Sequence, residues 1–110
     1  ANIGQFFTAA PVEGVKINIS VSVLKKADAT YAGIQEGFKA LLQKYFADMA
    51  LEDYADGMAI RYVRVGAILE NMDEVIDYDK LKLNGNSVNI TFSVLQIPIL
   101  GEVTVDGSIL

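Results

Sequence analysis

Cysteine and histidine are both absent from this sequence of 110 residues. Without cysteine the chain can form neither a disulfide nor a thiolate metal site. Without histidine it lacks the commonest general base and the commonest metal ligand. Basic residues are also few, 9 against 14 acidic ones, and the net charge of −5 opposes binding to nucleic-acid phosphates. We therefore predict no catalytic residues, no metal site, no cofactor and no nucleic-acid partner.

Long hydrophobic runs are missing as well. No apolar stretch approaches the roughly 20 residues that cross a bilayer, and no signal segment opens the chain, so no membrane partner is expected. Apolar residues nevertheless make up 52% of the sequence, which is high for a domain of this size. The first residue is Ala1 rather than methionine. We interpret the chain as a piece of a longer protein whose surplus apolar surface is covered by partners or by self-association.

Two stretches of the sequence alternate between apolar and polar side chains. Residues 15–23 do so strictly, which is typical of a strand with one buried and one solvated face. The other stretch surrounds Asn84-Gly85, a dipeptide that readily adopts the positive φ angles of a tight hairpin turn. It predicts two paired strands, at 75–83 and 88–95. Their apolar residues on the common face would be Leu81, Leu83, Val88 and Ile90.

A long amphipathic helix is predicted after Thr30, whose hydroxyl is placed to cap the helix N-terminus. Apolar residues follow at spacings of three and four, with polar residues between them. Gly33 and Gly37 lie inside this helix and are interpreted as tolerated weak positions rather than as a close-approach motif. The apolar stripe is assigned to the core, its aromatic rings included: Tyr31, Ile34, Phe38, Leu41, Leu42, Tyr45, Phe46 and Met49.

The remaining pattern completes an α+β fold. Residues 58–62 indicate a short extended segment, and residues 65–72 a second, shorter helix. A last strand is expected at 97–105, where Pro98 must lie at a strand start or on a sheet edge because proline has no N–H. We predict an antiparallel or mixed sheet of about four to five strands, with one long and one short helix packed on one face.

Acidic residues are densest between Asp73 and Asp79. Asp77 and Asp79 have the spacing of the first two ligands of a calcium loop. Leu81 and Lys82, however, stand where that loop needs a third oxygen ligand and a glycine. We therefore prefer to interpret these acidic residues as a solvent-exposed segment that leads into a strand. Paired carboxylates could also hydrolyse a glycoside, but the sequence indicates no sugar cleft.

Three segments resemble, in order and spacing, the C-terminal part of the J-like baseplate proteins of contractile-tail bacteriophages and phage-derived particles. The family pattern runs I-R-Y-x-R-[IV]-G-A-x-[IL], then G-V-x-D-Y-x-x-L-x-L-N-G, then [VI]-P-[VI]-L-G-x-V-T-[LV]. Glu74 departs from it, because the family often has glycine there, and a tight turn before strand 75–83 is correspondingly less expected. The resemblance extends back through Ile3-Gly4 and residues 15–23. The matching residues are Ile60, Arg61, Tyr62, Arg64, Val65, Gly66, Ala67 and Leu69, then Val75, Asp77, Tyr78, Leu81, Leu83, Asn84 and Gly85, then Ile97, Pro98, Ile99, Leu100, Gly101, Val103, Thr104 and Val105.

The resemblance implies a structural assembly module of a tail baseplate rather than an enzyme. Such proteins form wedges that radiate from the hub and link the tail-tube region to the fibres. The implied partners are other baseplate and tail proteins and the preceding domains of the same chain. The implied location is the virion tail or a phage-like particle, assembled in the bacterial cytoplasm. Two alternatives remain: a module that binds a small apolar ligand between helices and sheet and, less favoured, a tail-associated cell-wall hydrolase.

Arg61 and Arg64 are candidate residues for a partner interface. Arginine and tyrosine carry much of the binding energy at protein contacts, and Tyr62 lies between the two arginines. The other explanation is internal: pairing of an arginine with Asp77 or Asp79 would fix the second helix to the hairpin. The sequence does not separate the two, and the internal pairing is slightly preferred.

Phe6 and Phe7 are the other two interface candidates. They lie in residues 1–13, which we predict to be a connecting segment from a preceding domain, ahead of a single domain formed by residues 14–110. The two phenylalanines are expected either to dock against that preceding domain or to belong to a first strand of this one.

Overall fold

The computed structural model describes residues 13–52, 58–93 and 95–107. Within these ranges two helices alternate with the first strands, and three strands follow the second helix. The α+β class and the pairing of one long with one short helix are confirmed. In chain order the elements are β1 (Glu13–Lys25), α1 (Tyr31–Glu52), β2 (Ala59–Ile60), α2 (Tyr62–Glu70), β3 (Val75–Leu83), β4 (Ile90–Thr91) and β5 (Gln96–Asp106).

The main sheet is mixed and is centred on β1. The strand order is β3-β1-β5, with β3 antiparallel and β5 parallel to β1. Pro98 therefore lies in an edge strand, as predicted. The short strands β2 and β4 pair antiparallel in a separate ribbon. The described strands are thus divided between two small sheets rather than joined in one.

The turn at Asn84-Gly85 forms as predicted, but the hairpin that it opens is very short. Both residues have positive φ, 52° and 82°, and Leu83 and Asn86 exchange two backbone hydrogen bonds of 2.7 and 3.1 Å across the turn. The predicted strand at 88–95 is wrong except at Ile90–Thr91, and Val88 is exposed rather than on the core face. The reason is a competing partner, because this segment pairs with β2 instead of returning along β3.

One hydrophobic core lies between the helices and one face of the main sheet. The apolar side of β1 is buried as the alternation predicts. Helix α1 packs on β5, α2 packs on β3, and the two helices contact each other. The buried apolar side chains of the described residues are Ile17, Ile19, Val21, Val23, Ile34, Phe38, Leu42, Phe46, Met49, Met58, Ile60, Val65, Leu69, Met72, Val75, Leu81, Leu83, Phe92, Val103 and Val105.

Helix α1 begins where the capping pattern predicts. The Thr30 hydroxyl accepts a hydrogen bond from the Gly33 N–H at 3.0 Å. The assignment of the whole apolar stripe to the core is wrong at two positions, because Tyr31 and Leu41 are exposed. Tyr31 is the first residue of the helix, and the Lys25 ammonium lies 5.3 Å from its ring centroid.

The second helix starts earlier than predicted, at Tyr62, and ends at Glu70. The turn that follows forms without a glycine at position 74, and the Val75 N–H donates to the Met72 carbonyl at 3.1 Å. Met72 then packs against α1, where a Cβ at Gly37 would lie 3.1 Å from the Met72 Cε. This neighbour is the end of a flexible side chain rather than a backbone, so the interpretation of Gly37 as a tolerated glycine stays a prediction.

Phe38 is the largest fully buried side chain of the described core, so its removal tests how the layers are held together. We expect Phe38→Ala to lower the free energy of unfolding by about 3–5 kcal/mol, because it leaves a cavity between helix and sheet. Urea denaturation followed by circular dichroism measures this loss. Leu51→Ala in the same helix is the control, since that side chain is 85% exposed. Equal losses in the two variants would contradict the assigned helix face.

Candidate functional site

Asn84 directly follows β3 and is hydrogen-bonded to residues in the middle of β1. Its N–H donates to the Asn18 carbonyl at 2.7 Å, and its Oδ1 accepts from the Asn18 N–H at 2.7 Å. Its Nδ2 also donates to the Lys16 carbonyl at 3.2 Å. The positive φ of Asn84 is tolerated by this residue type and turns both backbone and side chain toward β1. Asn84 therefore belongs both to the turn and to the hydrogen bonding between β3 and β1.

A bulge in β5 lies on the other side of the same β1 residue. Gly101 and Glu102 both stand opposite Asn18, which shifts the register between the two strands. The Asn18 Oδ1 accepts the Glu102 N–H at 2.9 Å. A Cβ at Gly101 would collide with that Oδ1. Glycine is needed here because the asparagine amide occupies the space of a side chain.

The contact between α2 and β3 depends on a second glycine. Gly66 is buried in α2, and a Cβ added to it would overlap the Tyr78 hydroxyl and lie 3.1 Å from the Tyr78 Cζ. The ring of Tyr78 thus packs directly on the helix backbone. Burial raises the pKa of Tyr78, because the tyrosinate is poorly solvated there, and the nearby Glu70 charge raises it further.

The start of α2 is fixed by side chains from other parts of the chain. The Tyr62 N–H donates to the Asn89 Oδ1 at 2.7 Å, and the Arg61 N–H donates to the Tyr45 hydroxyl at 3.1 Å. The Tyr62 hydroxyl donates to the Leu81 carbonyl at 2.8 Å. Arg61 itself provides no side-chain cap. These bonds fix the orientation of α2 relative to α1 and β3.

The side chains of Arg61 and Arg64 are exposed. Neither forms an ion pair with a carboxylate in the described parts of the chain, so the slightly preferred internal pairing is not found. Asp77 and Asp79 instead each accept a hydrogen bond of 2.8 Å from the N–H of the following residue. The arginines are left available to other molecules.

A groove runs between α1 and α2 on the outer side of the helix layer. We call it the helix groove; its volume is about 310 Å³. Arg64 lies in its wall, and an ion pair of 2.8 Å between Lys44 and Asp48 borders it. The residues that line the helix groove are Leu41, Lys44, Tyr45, Asp48, Arg64, Ala67, Ile68 and Asn71.

A second groove lies on the opposite flank of α1, along the outer edge of β5. We call it the edge groove; its volume is about 370 Å³. Four consecutive β5 residues line it although their side chains alternate between the two faces of the sheet, so the edge groove straddles the strand edge. The residues that line it are Gln43, Phe46, Ala47, Ala50, Ile97, Pro98, Ile99 and Leu100.

In residues 13–52, 58–93 and 95–107 no set of three or more acidic side chains is placed to hold a metal ion. No helix in these ranges is long and apolar enough to span a membrane. Phe6 and Phe7, the remaining interface candidates, lie outside the described residues.

The comparisons with known proteins agree with the three sequence segments. A model of the family described as "Baseplate J-like protein C-terminal domain" matches residues 17–106. The chain belongs to this family. Two relatives from Bacillus subtilis (strain 168) are similar to it: "Uncharacterized protein YqbT" and "Phage-like element PBSX protein XkdT". Each is 29% identical over 105 residues, which cover 96% of this chain and 29% of the relative. The chain therefore spans less than a third of the length of these curated relatives.

Several residues that build this baseplate J-like domain were not found by sequence reasoning. Asn18 was assigned only to the wet face of a strand, and Asn89 to the strand at 88–95. Both are hydrogen-bonding residues that contact segments distant in sequence. The edge groove was missed because its floor includes Ala47 and Ala50, which were not part of the predicted apolar stripe. An asparagine at the centre of a predicted strand is a signal that could have identified Asn18.

Gly66 and Tyr78 provide a paired test of the contact between α2 and β3. We expect Gly66→Ala to destabilise the domain by about 1–3 kcal/mol, because the methyl group and the Tyr78 hydroxyl occupy the same space. In the background of Tyr78→Phe the same change should cost clearly less, since the overlapping hydroxyl is gone. Urea denaturation of the four proteins gives the coupling. Additive effects of the two changes would show that the ring does not pack against this glycine.

Proposed function

We propose that the domain is a structural assembly module of a phage or prophage-derived tail baseplate and contacts other wedge proteins through the helix groove. Membership of the baseplate J-like C-terminal family supports the structural role. The name of the relative from the phage-like element PBSX is consistent with it. Under this proposal the domain carries out no reaction, is assembled into a tail or phage-like particle in the bacterial cytoplasm, and joins the preceding domains of a longer chain.

The exposure of Arg64 is the observation that supports this choice of surface. Most of the residues that match the family segments around it are used inside the domain, including Tyr62, Gly66 and Tyr78. Arg64 instead lines the helix groove and has no ion-pair partner among the described residues. A residue of the family pattern that does not hold the fold is the natural candidate for holding a partner.

The composition of the helix groove fits a protein partner. Arginine and tyrosine are enriched at the energetic centres of protein interfaces. Here Arg64 and Tyr45 lie beside Ile68 and Leu41, and the Leu41 side chain is 42% exposed. An apolar side chain of the partner would fill the groove, while a carboxylate beside it would pair with the Arg64 guanidinium. The groove is open at the surface, which suits a protein segment better than an enclosed apolar ligand.

The test is a reversal of charge at Arg64 in the full-length parent protein. We expect Arg64→Glu to leave the stability of the domain nearly unchanged, because the side chain is exposed, but to reduce binding to the other wedge components at least tenfold. Co-purification with tail proteins and electron microscopy of the particles measure the effect. Lys26→Glu is the control, since it makes the same charge change at another exposed position. Normal assembly with Arg64→Glu would contradict the proposed interface.

A further inference from the structure

Asn84-Gly85 is the one asparagine–glycine pair in the sequence. An asparagine side chain can react with the main-chain nitrogen of the next residue, and glycine favours this reaction because it has no Cβ to hinder the approach. Both residues are exposed, and a Cβ at Gly85 would meet no atom within 4 Å. Within the described parts of the chain no acceptor binds the Gly85 N–H. The attacking nitrogen is therefore neither covered nor hydrogen-bonded inside the domain.

The reaction requires only water as a co-reactant. The Gly85 nitrogen gives up its proton and forms a bond to the Asn84 Cγ, while the Cγ–Nδ2 bond breaks and Nδ2 leaves with that proton as ammonia. Water then opens the cyclic imide. Cleavage of the new bond to Cγ gives aspartate, and cleavage of the bond to the main-chain carbonyl carbon gives isoaspartate, whose backbone runs through Cβ and Cγ. In both cases an amide and water become a carboxylate and an ammonium ion.

The contact with β1 restrains the reacting amide in the folded domain. The Asn84 Oδ1 accepts the Asn18 N–H at 2.7 Å, and its Nδ2 donates to the Lys16 carbonyl at 3.2 Å. The amide cannot turn its carbon onto the Gly85 nitrogen without breaking both of these bonds. The side chain of Asn86 provides a contrast, because its Nδ2 donates within the turn, to the Asn84 carbonyl at 3.3 Å.

We propose that Asn84 is a deamidation site that reacts when the end of β3 separates from β1 and is protected while the two are joined. Such local openings occur in folded domains at a free-energy cost below that of global unfolding. The carboxylate that forms has acceptors only, so it cannot donate to the Lys16 carbonyl and instead places an oxygen against it. The modification therefore prevents β3 from closing fully on β1 again. It depends on neither groove.

Rates of deamidation in the 110-residue chain test the protection directly. Chains are incubated in mildly alkaline buffer, with and without denaturing guanidinium chloride, and peptide mass spectrometry follows the conversion of Asn84. We expect conversion to be slower in buffer by at least about tenfold, because only the opened fraction reacts. The denaturant should accelerate conversion of Asn86 by a smaller factor. Equal rates at Asn84 with and without denaturant, or equal acceleration at the two asparagines, would overturn the proposal.

Asn84→Asp and Asn86→Asp test the consequence of the reaction. The two variants place the same new charge in the same turn, but only the change at position 84 removes a donor to β1. We expect Asn84→Asp to unfold at a clearly lower denaturant concentration, while Asn86→Asp stays close to the parent. Failure of Asn84→Asp to fold, beside a folded Asn86→Asp, is the same effect at full strength. Equal midpoints of the two variants would contradict the proposed loss of closure.

Discussion

Asn18 lies at the centre of the middle strand and is hydrogen-bonded to both neighbouring strands, in part through side-chain groups that a regular ladder does not use. Toward β3 its N–H and carbonyl are both taken up by Asn84. Toward β5 its side-chain oxygen holds the bulged N–H of Glu102. Asn18 therefore fixes both the end of β3 and the bulge in β5. Because register decides which face of a strand is buried, these bonds specify which side chains enter the core.

Contacts inside the domain explain why the family pattern contains particular residues at several positions. Asn84 is required for its bonds to β1, Gly101 because a Cβ would meet the Asn18 amide, and Gly66 because a Cβ would meet Tyr78. The segments by which the chain resembles baseplate J-like domains thus describe mostly how the domain is held together. Arg64 belongs to the same pattern but remains available to partners, because its side chain is exposed beside an apolar groove.

The sequence predicts those elements whose signals are local. Alternation identifies β1, and the bounds predicted for β3 agree with the structure, as does the Thr30 cap of α1. The prediction of a strand at 88–95 fails because the pairing of this segment depends on a partner distant in sequence, β2, which competes with β3. The sequence did not decide between an internal and an external role for Arg61 and Arg64, and it wrongly placed Tyr31 in the core. Residue type and spacing do not reveal which groups approach a side chain in three dimensions. The two grooves depend on how α1 lies against its neighbours, and no local pattern encodes that.

The most direct test of the contact between β3 and β1 is the effect of Asn84→Gly on the amide of Asn18. Glycine keeps the positive φ at this position, so the change removes the side-chain bonds to β1 and little else. We expect faster hydrogen exchange at the Asn18 N–H and a loss of about 1–2 kcal/mol in the free energy of unfolding. Asn86→Gly, on the other side of Gly85, should have a smaller effect on the Asn18 amide. Unchanged protection of that amide in Asn84→Gly, with unchanged stability, would contradict the central role of this contact.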